Sequence, residues 1–228
     1  MEYVPCNTGQ NWSPENFNTD MLPEWQDLLV ETNSTLVEAF GIGFEGEKPE
    51  GTEEDGYWQL LWNSKEDAEA GWETWEGYDK TADWAEANAD ILACGSKADT
   101  FSFDAYVRRS RDGLGTFDLT AFSSEYQFCA YNEGQGVDEL VSVIDDFEDW
   151  LVSDENSLDS PYTYVVLAPD YETEEFDLAW GNFHQSKEMR EAGLANFLDT
   201  APEIQEAFDK VLSCQEPNGF NSGQIPLI

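Results

Sequence analysis

The chain repeats itself, and that limits it to folds that two copies of one unit can build. Trp58 is followed by Ser64-Lys65-Glu66 and then Glu69-Ala70-Gly71. Trp180 is followed at the same spacing by Ser186-Lys187-Glu188 and then Glu191-Ala192-Gly193. The offset is 122 residues in both cases (180 − 58 and 186 − 64). A shift by 122 aligns residues 20–72 with 142–194 without a gap, and 14 of those 53 pairs are identical. Leu22 meets Ile144, Trp25 meets Phe147 and Phe40 meets Tyr162. Upstream, Tyr3-x-x-Cys6 answers Tyr126-x-x-Cys129; downstream, Cys94 answers Cys214. A period this long describes whole folding units, each large enough for its own core. The expected units are 1–109 and 124–228, joined by a linker over 110–123 that carries Gly113 and Gly115.

Each copy checks the reading of the other. Residues 3–8 and 125–131 are short aromatic, Val and Cys runs that read as first strands. Residues 22–37 and 137–152 follow as amphipathic helices; Leu140, Val141, Ile144, Phe147, Trp150 and Leu151 recur at helical spacing in the second. Two strands come next in each copy, 39–45 with 57–62 and 162–168 with 176–183. Ser64 and Ser186 stand where helix caps are wanted, ahead of acidic first turns. The helices they open run to about Leu92 and Leu212, with a break at Pro202 in the second copy. Residues 100–108 read as a last strand, and 220–228 as its weaker match because of Pro226. Each copy therefore predicts the order β-α-β-β-α-β of an α+β, ferredoxin-like unit.

That doubled order, with aromatic-rich strands and the motif W-x5-S-K-E-x-x-E-A-G at 58–71 and 180–193, resembles the dimeric α+β barrel superfamily and marine bacterial proteins of that architecture. The resemblance implies two tandem ferredoxin-like βαββαβ repeats packed sheet to sheet, a fused pseudo-dimer that is a monomer or a weak homodimer. Members include monooxygenases, haem-handling enzymes and small-molecule decarboxylases. No catalytic motif of theirs carries over onto residues of this chain.

Charge narrows the partners. The 49 acidic and 10 basic residues leave a net charge of −39. Such a surface repels phosphate backbones and anionic lipid headgroups, so neither nucleic acid nor membrane is expected as a partner. With 40% hydrophobic residues and nine Trp, the chain has too much apolar surface to stay disordered. No run of eighteen apolar residues exists. The carboxylates are scattered, which reads as solubility or adaptation to salt; recruitment of a basic partner or of cations is the alternative. Arg108, Arg109 and Arg111 read as a cationic linker on an acidic body, with an anion site as the alternative. Residues 1–6 lack the basic start and apolar stretch of a secretory signal, which leaves the cytoplasm or a precursor whose signal has been removed.

Cys6 and Cys129 lie in the first strands, Cys94 and Cys214 at the ends of the second helices, so the pairs Cys6–Cys94 and Cys129–Cys214 are expected to bond. Disulfides would place the protein in the periplasm or outside the cell, and four free thiols in the cytoplasm. With no C-x2-C pair and a single histidine, no metal site and no cofactor are expected. His184 stands where the first copy has Trp62. It is a candidate catalytic base or haem ligand present in one half only, against the plainer reading of a polar strand end. Phe44, Trp58, Trp62, Tyr164 and Trp180 are candidates to line an aromatic pocket between the two sheets, against the reading that they fill the core. The composite expectation is a protein that binds a small apolar or aromatic molecule. A cofactor-poor monooxygenase- or isomerase-like enzyme with His184 as base, and an acidic interaction protein without a pocket, are the alternatives.

Overall fold

A computed structural model describes residues 1–107, 117–156 and 161–227. Arg108, Arg109, Arg111 and the first half of the expected linker, residues 110–116, lie outside the described residues. The chain divides into two compact units, Met1–Ser102 with Asn221–Ile228, and Phe103–Phe220.

The first unit opens with β1 (Glu2–Thr8). A helical segment follows, α1 (Pro14–Asn16), continuing through a π-helical turn at Phe17–Met21 into α2 (Leu22–Glu31). Then come β2 (Glu38–Phe44), β3 (Gly56–Leu61), α3 (Lys65–Glu76), α4 (Asp79–Asn88), β4 (Leu92–Cys94) and β5 (Phe101–Tyr106). Ser64 caps α3 by accepting from the Asp67 amide, and Gly77 ends it. β3 lies antiparallel between β1 and β2, with Glu2 opposite Leu60 and Gly41 opposite Trp58. Val4, Cys6, Trp58 and Leu60 pack with Met21, Leu22, Trp25 and Trp72 in the core. Phe101 and Ser102 pair with the other edge of β1.

The second unit runs β6 (Phe122–Tyr131), α5 (Val137–Leu151), β7 (Tyr162–Pro169), β8 (Leu178–His184), α6 (Lys187–Thr200), α7 (Pro202–Val211) and β9 (Leu212–Cys214). The last strand is β10 (Asn218–Ile225), whose residues from Asn221 on belong to the first unit. Ser186 caps α6 by accepting from the Met189 amide, and Pro202 starts α7 at a position that needs no amide donor. β8 lies between β6 and β7, with Trp180 opposite Gln127 on one side and Val166 on the other. Leu140, Val143, Ile144, Phe147 and Trp150 form the buried stripe of α5, packed on Tyr164, Leu178, Trp180 and Leu212.

Three departures from the sequence reading have physical causes. α2 stops at Glu31 rather than running to Val37, because Asn33 takes a left-handed conformation (φ 51°) that ends the helix. Cys94 and Cys214 sit in three-residue strands, not at helix ends. β4 and β9 place them directly opposite Cys6 and Cys129, and both pairs are bonded, with Cα atoms 4.0 Å apart. β10 is a full strand despite Pro226, which lies just past its end and removes no ladder bond. The repeat offset also slips. Ala39 lies opposite Leu60 and Tyr164 opposite Asn182, so β2 and β7 correspond at 125 residues (164 − 39) while β3 and β8 hold 122 (182 − 60). Phe40 therefore matches Val165 rather than Tyr162, the loops having absorbed three residues. Among the described residues no helix is long and apolar enough to cross a membrane.

Candidate ligand cavity

Alternation along β8 sends Trp180, Asn182 and His184 to the helix-covered face of the sheet and Phe183 to the opposite face. Phe183 there meets Tyr126 edge-on at 6.0 Å. On the neighbouring strand Glu125, Gln127 and Cys129 share the helix-covered face. Between this face and α5, α6 and α7 lies a cavity of about 640 Å³. Its apolar lining includes Phe147, Trp150, Trp180, Leu194, Phe197 and Phe208; its polar lining includes Glu125, Asn182, His184, Arg190, Asp209 and Glu216. α6 roofs it while burying none of its own residues, and Leu194 is still 55% exposed. The expected pocket lay between two sheets; this cavity lies between one sheet and its own helices, because residue parity aims Trp180 and His184 that way.

The polar groups are held in place. The Asn182 carboxamide oxygen accepts from the Tyr162 hydroxyl at 2.8 Å and from the Trp180 indole at 2.9 Å. Tyr164 stacks on Trp180 at 4.8 Å and donates to Glu148 at 2.6 Å. Burial, then the neighbouring Tyr164, keeps the Tyr162 phenol protonated. Arg190 pairs with Glu125 at 3.3 Å and donates to Ser123 at 2.9 Å. His184 is 7% exposed, lies 4.8 Å from the Tyr162 ring, and has no partner for Nδ1 among the described residues. Burial, then the Arg190 charge, pushes its pKa down to about 4. The imidazole is therefore neutral at pH 7 and can accept a hydrogen bond. Gly193 leaves it room: a Cβ there would stand 3.1 Å from His184 Cε1 and 3.6 Å from Nδ1.

The first unit fills the part of the corresponding space that lies beside Trp62 and Trp72. Trp62 covers Gly71, where a Cβ would come within 2.6 Å of the indole. The indoles of Trp62 and Trp72 both donate to Glu2 Oε2, at 2.7 and 2.8 Å. Lys97 pairs with the other carboxylate oxygen, and Ser102 donates to it at 3.2 Å. Burial works to raise the Glu2 pKa, but the bonds from Lys97, Trp72 and Trp62 outweigh it, and the carboxylate stays ionised below its usual range. At the 122-residue offset, Trp62 and Trp72 become His184 and Leu194. Two indoles are replaced by two smaller groups, and the space beneath α6 opens.

Of the sequence candidates, Trp180 and His184 line this cavity and Tyr164 stands behind Trp180. Trp62 belongs to the network around Glu2. Trp58 is core of the first unit, 5.0 Å from Trp25, and also lines a smaller hollow of about 370 Å³ there. Phe44 packs edge-on against Tyr57 at 6.2 Å, and it is not among the residues that line the cavity. Sequence reasoning missed Glu125, Asn182, Arg190 and Gly193. Arg190 carried a signal: it is a basic residue in a strongly acidic chain, at a variable position of the repeated motif where the first copy has Ala68. Among the described residues no group of three His, Cys, Asp or Glu is placed to hold a metal. The lining does not suit a haem, whose propionates would face Glu125, Asp209 and Glu216 with Arg190 already tied to Glu125.

No family model matches the chain. No curated protein matches it either. Solved structures do. A candidate monooxygenase from Lactobacillus acidophilus NCFM aligns over 99% of this chain and 95% of its own, at 10% identity and a TM-score of 0.50. A candidate chlorite dismutase aligns over 99% and 94%, at 9% identity and a TM-score of 0.53. Both neighbours belong to the dimeric α+β barrel superfamily, and at these identities the likeness shows the fold: a mixed α+β architecture of that kind.

Proposed function

We propose that the chain comprises two tandem ferredoxin-like repeats, 1–109 and 124–228 about a linker at 110–123, and that the second holds a small molecule in the cavity beneath α6. One observation carries this reading: His184 and Leu194 stand where Trp62 and Trp72 close the same space in the first unit. A cavity with an aromatic wall and a few oriented polar groups is the usual form of a small-molecule site. The first repeat then serves as the structural half. The two disulfides fit a home outside the reducing cytoplasm. A second reading makes the site catalytic, with neutral His184 accepting a proton from the bound molecule. The unpartnered Nδ1 favours it, as does the monooxygenase name of one fold neighbour.

The test restores the indoles. Wild-type protein is expected to bind the neutral fluorescent probe N-phenyl-1-naphthylamine. The double variant His184→Trp, Leu194→Trp should bind it at least about tenfold more weakly while remaining folded. Leu194→Trp alone, at an exposed position, keeps the test open if the double variant misfolds. Unchanged probe affinity in a folded variant would reject the cavity as the site.

A further inference from the structure

The chemistry of the cavity goes further than its shape. Phe147, Trp180 and Phe208 meet as three nearly perpendicular rings: Phe147–Trp180 at 72°, Phe147–Phe208 at 75° and Trp180–Phe208 at 78°, with centroids 5.5–6.3 Å apart. All three rings line the cavity, so a group there has aromatic rings, whose faces carry the negative lobes of the quadrupole, on more than one side. At the end of the cavity next to the Cys129–Cys214 bond, the lining adds the exposed carboxylates of Asp209 and Glu216. The cation of the lining, Arg190, is at the other end, tied to Glu125 and Ser123. The polar lining is thus acidic where the aromatic corner opens, and the whole chain, at −39, concentrates cations and excludes anions. His184 lines the Arg190 end of the cavity as a neutral imidazole whose buried Nδ1 has no partner among the described residues, so a polar substituent on the ligand body can pair with it there.

Resting on the small-molecule reading above, we infer that the ligand is an organic amine in its protonated form: an apolar, ring-sized body with an ammonium head. The body lies against Phe147, Trp150 and Phe197 under α6. The head sits in the corner of Phe147, Trp180 and Phe208, within the field of Asp209 and Glu216. The same groups disfavour a carboxylate of the same size, which would lose the ring faces and face two like charges. α6, which buries no residue of its own, gains an apolar surface to close on when the body enters.

Three probes of one shape test this by titration calorimetry at low salt: 2-(1-naphthyl)ethylammonium, the neutral alcohol 2-(1-naphthyl)ethanol, and 1-naphthylacetate. The ammonium is expected to bind about tenfold more tightly than the alcohol, and the carboxylate more weakly than either. Asp209→Asn with Glu216→Gln should bring the ammonium within about twofold of the alcohol and leave alcohol binding unchanged. Both side chains are exposed, so the variant keeps its core. An alcohol that binds as well as the ammonium, or a carboxylate that binds better, overturns the amine class while leaving the cavity a small-molecule site. If no probe binds, N-phenyl-1-naphthylamine included, the site reading falls and the amine class with it.

Discussion

Reducing Cys6–Cys94 and Cys129–Cys214 is expected to lower the stability of each unit by about 4 kcal/mol, the largest single effect any mild treatment should have on this protein. The bonds span 88 and 85 residues, so each removes a long loop's worth of freedom from the unfolded chain. Each also ties a three-residue strand to the middle of its sheet, and a strand that short cannot hold its place through its own ladder bonds. Denaturation with and without reductant should show the midpoint falling sharply for both units. Thiol titration of the unfolded, unreduced protein should find no free thiol. Four reactive thiols before reduction, or a midpoint that reductant does not move, would contradict the pairing.

The second large effect concerns the buried carboxylate of the first unit. Converting its filled space into the second unit's, by Trp62→His with Trp72→Leu, should destabilise the first unit by about 3–5 kcal/mol. Two indole donors to Glu2 vanish together, leaving a buried charge with Lys97 and Ser102 alone, and a void opens where the rings stood. Replacing Glu2 by Gln in the same background should recover part of the loss, because a neutral amide suffers less from missing partners. Urea denaturation reads both steps. A loss below about 1 kcal/mol in the double variant would mean that the indoles are not what closes the first unit.

How far the sequence led depends on the kind of evidence each element carried. The helices that open at Ser64 and Ser186 were legible because a cap, an acidic first turn and a repeated motif all agree there. α5 was legible because its apolar residues recur at helical spacing, and Leu140, Ile144, Phe147 and Trp150 face one core while Val141 stays exposed. β4 and β9 were not: three residues carry no periodicity, and only pairing with β1 and β6 makes them strands. The difference between Trp62 and His184 was visible as a substitution, but its meaning was not. That needed the neighbours, Gly193 beneath the imidazole and Leu194 in place of Trp72, which tertiary packing assembles from separate elements. Asn182 was invisible for the same reason. An asparagine in a strand carries no signal until Tyr162 and Trp180 are seen to donate to it.

If the second unit, and not the first, holds the ligand, the nine tryptophans of the chain report on it directly. Protein labelled with 5-fluorotryptophan should give resolvable fluorine resonances, assigned by single Trp→Phe substitutions. Titration with N-phenyl-1-naphthylamine is expected to shift Trp150 and Trp180, which line the cavity, and to leave Trp62 and Trp72 where they were. Shifts at Trp62 and Trp72 with Trp150 and Trp180 unmoved would contradict the account.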